Sequence, residues 1–407
     1  MDYQFEVATA ADWDEIARTL FEAFNDDVDE DASALERLVF EPDRSVVARL
    51  DGEITGHAAS FTRDLAIPGG SVPAAHVTMV SVGPTHRRQG LLTTMIGRLH
   101  DDAATRREPI AVLWASEGKI YQRFGYGLAA RKLTFDAVTA ELRWLAPTAV
   151  DSGRRRAVPI TSTEPFRTVY EQVWRDRPGH SSRDDNWWAY VTSDVKSQRN
   201  GASAMRALLH EDADGRPDGY LIWRVKNDWE DGGPQGMVRI TELVAANPIA
   251  YRSLWEFALS VDLTRSVRFG YAAPDEPLQF MVTEPARLRS KFSESLWIRV
   301  LDLPRALEAR RYAAPVDAVL DVTDERIPSN AGRWHLRADR DAAACTRTDQ
   351  PADIALDIAE IGSAYLGGTS LAALAAANRV TELRPGTLAP VSTAFGWDRS
   401  PASIEVF

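Results

Sequence analysis

The hydrophobic pattern of the first 130 residues alternates between strand and helix periods. Residues 3–7 and 45–50 have the composition of short strands, and the turn residues Asp51 and Gly52 before residues 54–61 predict a β-hairpin. A helix is predicted between these strands, because apolar residues recur at helical spacing: Trp13, Ile16, Ala17, Leu20 and Phe24. We therefore expect a mixed α/β fold at the start of the chain.

A further strand, turn and helix follow at residues 77–99. The turn carries Arg87, Arg88 and Gly90. The apolar face of the next helix recurs at Leu91, Leu92, Met95, Ile96 and Leu99. Free backbone N–H groups and the positive end of the helix dipole meet beside guanidinium groups, which favours an anion such as a pyrophosphate. The alternative is an ordinary turn with two solvated arginines, and the spacing fits neither a Walker loop nor a dinucleotide fingerprint.

The pattern divides the chain into three segments, residues 1–130, 131–293 and 294–407. The second segment repeats the order strand, Pro-containing turn and helix at residues 241–259. Asn247 stands near the place that the arginines occupy in the first segment, so we expect this repeat to be degenerate and unable to hold a pyrophosphate.

Other features of the last two segments have structural interpretations. The basic run 154–156 is expected in a loop, and Trp187 and Trp188 are expected to pack in a core or an interface. The third segment is expected to open with an apolar strand at residues 296–301 and to continue as an α+β unit with an Ala-rich helix.

Composition restricts the class of protein. The 407 residues are 44% hydrophobic and 26% charged, which is typical of globular domains and sufficient for more than one core. The net charge of −12 disfavours a nucleic-acid partner and favours a cationic substrate. A single cysteine excludes an internal disulfide framework. No secretory leader and no run long enough for a membrane span is recognised, so a cytoplasmic location is expected.

Two motifs resemble those of the GNAT superfamily of N-acetyltransferases. Residues 85–92 (Thr-His-Arg-Arg-Gln-Gly-Leu-Leu) resemble motif A, and residues 116–126 (Ser-Glu-Gly-Lys-Ile-Tyr-Gln-Arg-Phe-Gly-Tyr) resemble motif B. The resemblance implies acetyl-CoA as co-substrate and no metal. It also implies that the cofactor-binding residues are Val80, Ser81, Val82, Arg87, Arg88, Gln89, Gly90, Leu91, Leu92, Thr93, Ser116 and Glu117.

The same resemblance gives Tyr121 the role of proton donor to the leaving thiolate. A phenol suits this role because its pKa of about 10 keeps it protonated at neutral pH. The alternative is core packing with the hydroxyl bonded to the backbone. For Tyr126, packing is the favoured interpretation. A backbone N–H of residues 80–82 is expected to polarise the thioester carbonyl.

Two GNAT-like segments followed by a segment that resembles the sterol-carrier-protein-like domain are typical of the Eis-type N-acetyltransferases. This resemblance implies acetyl transfer to primary amines of the aminoglycoside, polyamine or lysine type, by direct attack in a ternary complex. It also implies a homo-oligomer, a hexamer built as a trimer of dimers. Related C-terminal domains bind lipid in a tunnel; here we favour a plain core.

The resemblance further implies that the terminal carboxylate of Phe407 takes the proton of the amine. An α-carboxyl with a pKa of about 3.5 is a weak base, so this role requires desolvation in the cleft. The alternatives are a terminal strand that completes the third segment's sheet, and a water held by Glu117 or Asp26. The residues expected to face the substrate are Asp26, Phe24, Met79 and Glu405, with strand alternation placing Glu405 on the side of Phe407.

Two other functions stay open. One is a non-catalytic regulatory protein that binds acetyl-CoA or lipid, which does not need Tyr121. The other is transfer of a different acyl group such as succinyl, which needs a cationic pocket and is disfavoured by the acidic run 25–31. An acetyl-cysteine intermediate is not expected, because the only cysteine, Cys345, lies in the third segment.

Overall fold

Three large β-sheets organise the protein in a computed structural model that describes residues 2–146 and 151–407. Within these ranges the sheets have seven, seven and five strands, and a two-stranded ribbon pairs Trp229–Glu230 with Gly233–Pro234. Helices accompany each large sheet, which confirms the expected mixed α/β class.

The first sheet contains the strands expected from the first segment and one strand from the third. Its strands, in spatial order, are Gln4–Val7, Ser45–Leu50, Glu53–Ile67, Gly70–Val82, Ile110–Trp114, Leu296–Val300 and Gly127–Leu128. Its helices are Trp13–Phe24, Glu30–Arg37, Leu91–Thr105 and Gly118–Gln122. The hairpin turn forms as predicted, with φ of 52° at Asp51 and 91° at Gly52, the backbone conformation of a two-residue turn between twisted strands.

One strand of this sheet comes from a distant part of the sequence. Leu296–Val300, expected at the start of the third segment, pairs with Ile110–Trp114 on one edge and with Gly127–Leu128 on the other. All five of its residues are buried, so the strand needs neighbours on both faces, and a central position in the first sheet provides them.

The second sheet is formed by residues from the middle of the chain. Its strands, in spatial order, are Lys291–Glu294, Arg131–Val138, Thr264–Ala272, Gly236–Ala245, Pro217–Lys226, Arg206–Glu211 and Arg154–Val158. Its helices are Glu164–Val173, Asp185–Val191, Pro248–Leu259 and Leu278–Met281. The basic run expected in a loop is a strand, because Arg154 and Arg156 both form ion pairs with Glu211 on the neighbouring strand.

The third sheet shares its core with the first. Its strands, in spatial order, are Ala343–Arg347, Gly332–Ala338, Val316–Thr323, Ile354–Asp357 and Val380–Glu382. Its helices are Leu303–Ala309, Ile358–Ala364, Leu371–Ala376 and Leu388–Phe395. Leu65 and Val112 of the first sheet join Leu336 and Tyr365 in one buried cluster, so these apolar residues pack as a continuous core.

Residues 178–183 run beside the long strand Glu53–Ile67 and join the first sheet to the second. The backbone N–H of Ala66 donates to the carbonyl of His180 at 2.8 Å. The backbone N–H of Ser182 donates to the carbonyl of Asp64 at 2.9 Å. This backbone pairing fixes the position of the second sheet against the first.

A buried ion-pair network lies at the same junction and includes the end of the chain. The carboxylate of Glu405 accepts from Arg63 of the first sheet and from Nε of Arg183 at 2.8 Å. Arg183 also forms two hydrogen bonds with Glu242, at 3.0 and 2.6 Å, and Tyr220 donates to Glu242. Burial alone raises the pKa of Glu405, but Arg183 and Arg63 outweigh it and lower that pKa to about 2.

This network corrects the expectation for Glu405. Residues 401–407 form no strand, so alternation does not place Glu405 beside Phe407; its side chain is 8% exposed and is occupied by two arginines. A buried carboxylate needs such partners, because an unpaired charge in the interior is costly. Glu405 is therefore a structural anchor, not a residue that faces the substrate.

We expect Glu405→Gln to lower the free energy of unfolding by about 3–5 kcal/mol, because it leaves the buried guanidinium group of Arg63 without its carboxylate. Denaturant titration at pH 7 measures this change. The exposed Glu325→Gln is the matched control and is expected to change stability by no more than about 0.5 kcal/mol. A Glu405→Gln protein as stable as this control would contradict the anchoring role.

The lowered pKa also predicts the acid response of the wild type. The stabilisation by Glu405 is complete above the ordinary glutamate value of 4.5 and is lost as the pH falls toward 2.

Candidate active site

A cleft opens in the first sheet where two parallel strands separate. Gly70–Val82 and Ile110–Trp114 pair only from Ala74 with Ile110 to His76 with Val112. Beyond this point one edge of residues 77–82 has no neighbouring strand. Backbone N–H and C=O groups on that edge are available to a ligand, because buried polar groups of the main chain require partners.

A β-bulge lies at the mouth of this cleft. The register with the neighbouring strand shifts between His57 and Ala59, so Met79 and Val80 together lie opposite one residue. Met79 has φ of 49°, which is strained for a side chain of this kind. Burial lowers the pKa of His57 to about 4, so its neutral ring donates from Nδ1 to the carbonyl of Met79 at 3.0 Å and holds the bulge. The sequence pattern did not predict this feature.

The turn after the strand has the geometry of an anion site. Arg88 and Gly90 have φ of 64° and 87°, and no side chain caps the helix Leu91–Thr105 that follows. The first N–H groups of an uncapped helix are free to bind an anion. Arg87 is held across the turn by hydrogen bonds to the carbonyls of Val82 and Ala23, at 3.5 and 3.3 Å.

A cavity of about 670 Å³, here called the turn cavity, contains the cleft and the turn. The predicted cofactor-binding residues that line it are Val80, Ser81, Val82, Arg87, Arg88, Gly90, Leu91, Leu92, Thr93, Ser116 and Glu117. Gln89, the remaining predicted residue, is exposed and lies outside the lining. Lys119 and Arg123 add positive charge that the sequence analysis did not assign.

Tyr121 lines the turn cavity from the short helix Gly118–Gln122. Its side chain is 7% exposed, and burial raises its pKa to about 12. The neighbouring Tyr126 is fully buried, and its hydroxyl forms a hydrogen bond of 3.1 Å with Nε2 of His100. This agrees with the expected packing role of Tyr126. Of these two tyrosines, only Tyr121 reaches the cavity.

A second cavity of about 300 Å³, here called the terminus cavity, adjoins the first through Phe24, which lines both. Asp26 and Met79 line it as the sequence predicts, and so does Phe407. Glu405 does not. The lining residues that the sequence analysis missed are Leu20, Phe21, Glu36, Val39, Phe61, Thr78, Trp187, Tyr190 and Val406.

The end of the chain is held in the terminus cavity by packing. The ring of Phe407 lies edge-on to His76, with 4.6 Å between ring centroids. Burial, with Arg63 nearby, lowers the pKa of His76 to about 3, and its Nε2 lies 2.9 Å from Oγ of Ser181. The alternative of a terminal strand in the third sheet is thus wrong, because the chain ends between the first two sheets.

Glu36 is the most informative residue that the sequence analysis missed. It lies on the helix Glu30–Arg37, capped by Asp29, whose side chain accepts from the N–H of Ala32 at 2.9 Å. Its Oε2 is buried with no hydrogen-bond partner among residues 2–146 and 151–407. Burial raises the pKa of Glu36 to about 7. The N-cap residue Asp29 could have been used to predict the helix from the sequence. No nearby residue indicates that the carboxylate of Glu36 is buried.

The two tryptophans of the second segment are packed as expected. Trp188 is buried in the second sheet's core. Trp187 lies edge-on to Phe61 at 5.2 Å between centroids, and the guanidinium group of Arg63 lies 4.0 Å above its ring. Trp187 therefore serves both as interface packing and as a wall of the terminus cavity.

Two other sites lack the features needed for catalysis. In the second sheet, the side chain of Asn247 accepts from the N–H groups of Ile249 and Ala250, so the helix that begins there has no free donors for a phosphate. Cys345 is buried in the third sheet, where burial raises its thiol pKa to about 12, so it is not a nucleophile at neutral pH.

In the ranges 2–146 and 151–407 no group of three or more side chains is placed to bind a metal ion, and no helix is long and apolar enough to cross a membrane.

Comparison with known families places three domains along the chain. A GNAT acetyltransferase domain matches residues 4–129, a second GNAT acetyltransferase domain matches residues 179–300, and a sterol carrier protein domain matches residues 303–403. The GNAT domains imply acetyl-CoA as co-substrate.

Full-length relatives share this organisation. The chain is 41% identical to an uncharacterised N-acetyltransferase of Streptomyces avermitilis, over 94% of each chain. It is 34% identical to the N-acetyltransferase Eis of Mycobacterium tuberculosis, over 96% of each. The crystal structure of Eis1 from Mycobacterium abscessus superimposes with a TM-score of 0.85 at 28% identity, covering 100% of both chains. A GCN5-related N-acetyltransferase from Kribbella flavida, with a TM-score of 0.82 at 23% identity over 100% of this chain and 98% of that one, shares the fold.

Proposed function

Because this chain belongs to the Eis-type N-acetyltransferases, we propose that it transfers the acetyl group of acetyl-CoA to a primary amine by direct attack in a ternary complex. One observation carries this proposal: the turn cavity and the terminus cavity meet at Phe24, with Tyr121 on one and the end of the chain on the other. Two reactants held in adjoining cavities gain much of their rate from proximity alone.

The cofactor binds in the turn cavity. The pyrophosphate of acetyl-CoA lies at the uncapped start of the helix Leu91–Thr105, beside Arg87 and Arg88. The pantetheine arm follows the unpaired edge of residues 80–82. The thioester carbonyl meets a backbone N–H at the bulge, which stabilises the oxyanion that forms during attack.

Tyr121 donates to the sulfur as the C–S bond breaks. With its pKa raised to about 12 by burial, the hydroxyl keeps its proton at neutral pH. An ordinary thiol has a pKa of about 8.5, so a hydrogen bond to the developing thiolate precedes full transfer of the proton. Desolvation of the thiolate in the cavity raises the pKa of the thiol and so lowers the free-energy cost of the transfer.

The carboxylate that Phe407 carries at the end of the sequence accepts the proton of the amine. Packing of the ring against His76 orders a terminus that otherwise frays. Asp26 and Glu36 line the same cavity. Neighbouring negative charges and a dry environment both raise the pKa of a carboxylate. The terminal carboxylate is therefore expected to be a stronger base than an α-carboxyl in water.

The acceptor is cationic, and Glu36 binds its ammonium group. The lining of the terminus cavity contains no lysine, arginine or histidine, and aromatic side chains surround the two carboxylates. Aromatic walls with a desolvated carboxylate favour a cation. A succinyl group, which needs a positive partner, is disfavoured by the same lining. The hexamer implied by the family resemblance stays a prediction.

We expect Tyr121→Phe to bind acetyl-CoA as the wild type does and to lose turnover by about 10²-fold or more, the usual share of general acid catalysis. Release of CoA in the presence of acetyl-CoA and a panel of polyamines measures turnover. Tyr126→Phe is the control, since its hydroxyl lies in the core. Loss of activity in Tyr126→Phe with normal turnover in Tyr121→Phe would assign the role to the other ring.

We expect a short extension after Phe407 to leave folding and CoA binding intact and to lower kcat by about 10²- to 10⁴-fold, because it removes the carboxylate and adds bulk in the terminus cavity. The same tag placed before Met1 is the control. Full activity of the extended protein excludes the terminal carboxylate as the base.

We expect Glu36→Gln to raise the KM for the amine by about 10- to 100-fold, the range of a charged hydrogen bond, with a smaller change in kcat. In the wild type the KM falls as the pH rises through about 7, since Glu36 ionises there. The amine remains a cation over that range. Glu22→Gln is the control, because this exposed glutamate lies on the helix Trp13–Phe24 outside the lining of the cavity and is screened by solvent. A wild-type pH profile retained in Glu36→Gln would exclude this role.

A further inference from the structure

A third cavity, here called the second-sheet cavity, occupies the counterpart of the cofactor cleft. The parallel strands Gly236–Ala245 and Thr264–Ala272 pair only as far as Ile240 with Phe269 and then separate, as the two strands of the first sheet do. The space between them has a volume of about 310 Å³. A pyrophosphate is excluded, because Asn247 already occupies the helix donors. This cleft is therefore suited to a ligand other than acetyl-CoA.

An unsatisfied histidine lines this cavity. His180 is 8% exposed, and neither of its ring nitrogens has a hydrogen-bond partner in the described part of the chain. Its ring is stacked on Tyr170, with 6.4 Å between centroids, which fixes its plane. Burial, with Arg177 and Arg183 nearby, lowers its pKa to about 3, so the ring is neutral and has an unused donor. A buried polar group left unpaired costs about 1–3 kcal/mol, which a bound ligand relieves.

Positive charge lies at the same wall. Arg177 is engaged, because its Nη1 donates to Asp275 at 2.7 Å and to the carbonyl of Ser400 at 2.8 Å. Arg399 also lines the cavity and has no hydrogen bond or ion pair with any residue of 2–146 or 151–407. Arg399 is exposed to solvent. Partial burial and the charge of Arg177 lower its pKa, whereas the carboxylates of Asp275, Asp176 and Glu276 act in the opposite direction.

Glu276 is the only carboxylate among the described residues that line the cavity, and its oxygens are engaged within the protein. It accepts from the hydroxyl of Tyr251 at 2.6 Å and from the N–H of Ala273 at 2.8 Å. Burial raises its pKa. The rest of the wall is mostly apolar, with Phe269, Tyr271 and Met281 facing Ile404 of the chain end.

We propose that the second-sheet cavity binds a small amphipathic carboxylate, whose anionic group lies between Arg399 and His180 and whose apolar body contacts Phe269, Tyr271 and Ile404. The neutral imidazole of His180 donates to one carboxylate oxygen and the guanidinium group of Arg399 to the other. This assignment does not depend on the acetyl-transfer mechanism. A cavity of about 310 Å³ lies at the small end of the range for ligand sites, about 300–1,000 Å³, so the ligand is compact.

Octanoate and phenylacetate are suitable probes, each compared with its uncharged amide. Titration calorimetry and thermal unfolding are measured on the full-length protein in the presence of saturating CoA, which blocks the turn cavity. We expect one saturable carboxylate site and a rise in the unfolding midpoint, because a ligand of the folded state stabilises it. The amides are expected to bind at least about tenfold more weakly, the loss of a charged hydrogen bond.

Arg399→Gln is expected to weaken carboxylate binding about tenfold or more and to leave the amides unaffected. Its control is Arg340→Gln, an exposed arginine that pairs with Asp398 outside the cavity. His180→Phe keeps the ring packing on Tyr170 and is expected to weaken binding as well. Equal binding of acid and amide, unchanged affinity in Arg399→Gln, or no saturable binding of either acid would overturn the proposal.

Discussion

The carboxylate of Glu405, buried between Arg63 and Arg183, fixes the position of the last residues of the chain in the fold. Arg63 belongs to the first sheet and Arg183 to the segment 178–183 that joins the first two sheets, so the side chain of Glu405 connects the chain end to both. Breaking a buried pair leaves a charge that water cannot reach, which makes the alternative positions of the chain end unfavourable. Phe407 follows two residues later and lines the terminus cavity. The position of Phe407, whose carboxylate is proposed to act as the base, thus depends on an ion pair outside the terminus cavity.

The second sheet contributes to the terminus cavity of the candidate site, although Asn247 caps the helix in its own cleft. Residues 178–183 hold it against the strand Glu53–Ile67, and this contact places Trp187 and Tyr190 over the first sheet. The terminus cavity therefore has walls from the first sheet, the second sheet and the chain end. The helix Asp185–Val191 of the second GNAT domain thus supplies part of the terminus cavity, the proposed site of the acceptor.

The sequence predicted the parts of the site that are contiguous in the chain. The basic turn at residues 83–90 could be predicted from the strand and helix that flank it, and Tyr121 from a short motif. The terminus cavity could not be predicted in the same way, because the burial of Glu36 results from contacts with residues about 150 positions away. A short apolar stretch does not reveal its partner. The strand predicted near residue 296 forms, but its pairing in the first sheet could not be predicted. The strand expected at the chain end does not form, which removed the basis for placing Glu405 beside Phe407.

Two buried glutamates show how the local charges separate a structural role from a binding role. Burial raises the pKa of both, but two arginines reverse the effect at Glu405 and lower its pKa to about 2, whereas at Glu36 burial alone sets the shift and the pKa is about 7. The first carboxylate is satisfied within the protein. The second has no hydrogen-bond partner for Oε2 among the described residues and, with a pKa of about 7, is only partly ionised at neutral pH. The cationic acceptor proposed above would favour its ionised form, because an opposite charge nearby lowers the pKa of a carboxylate.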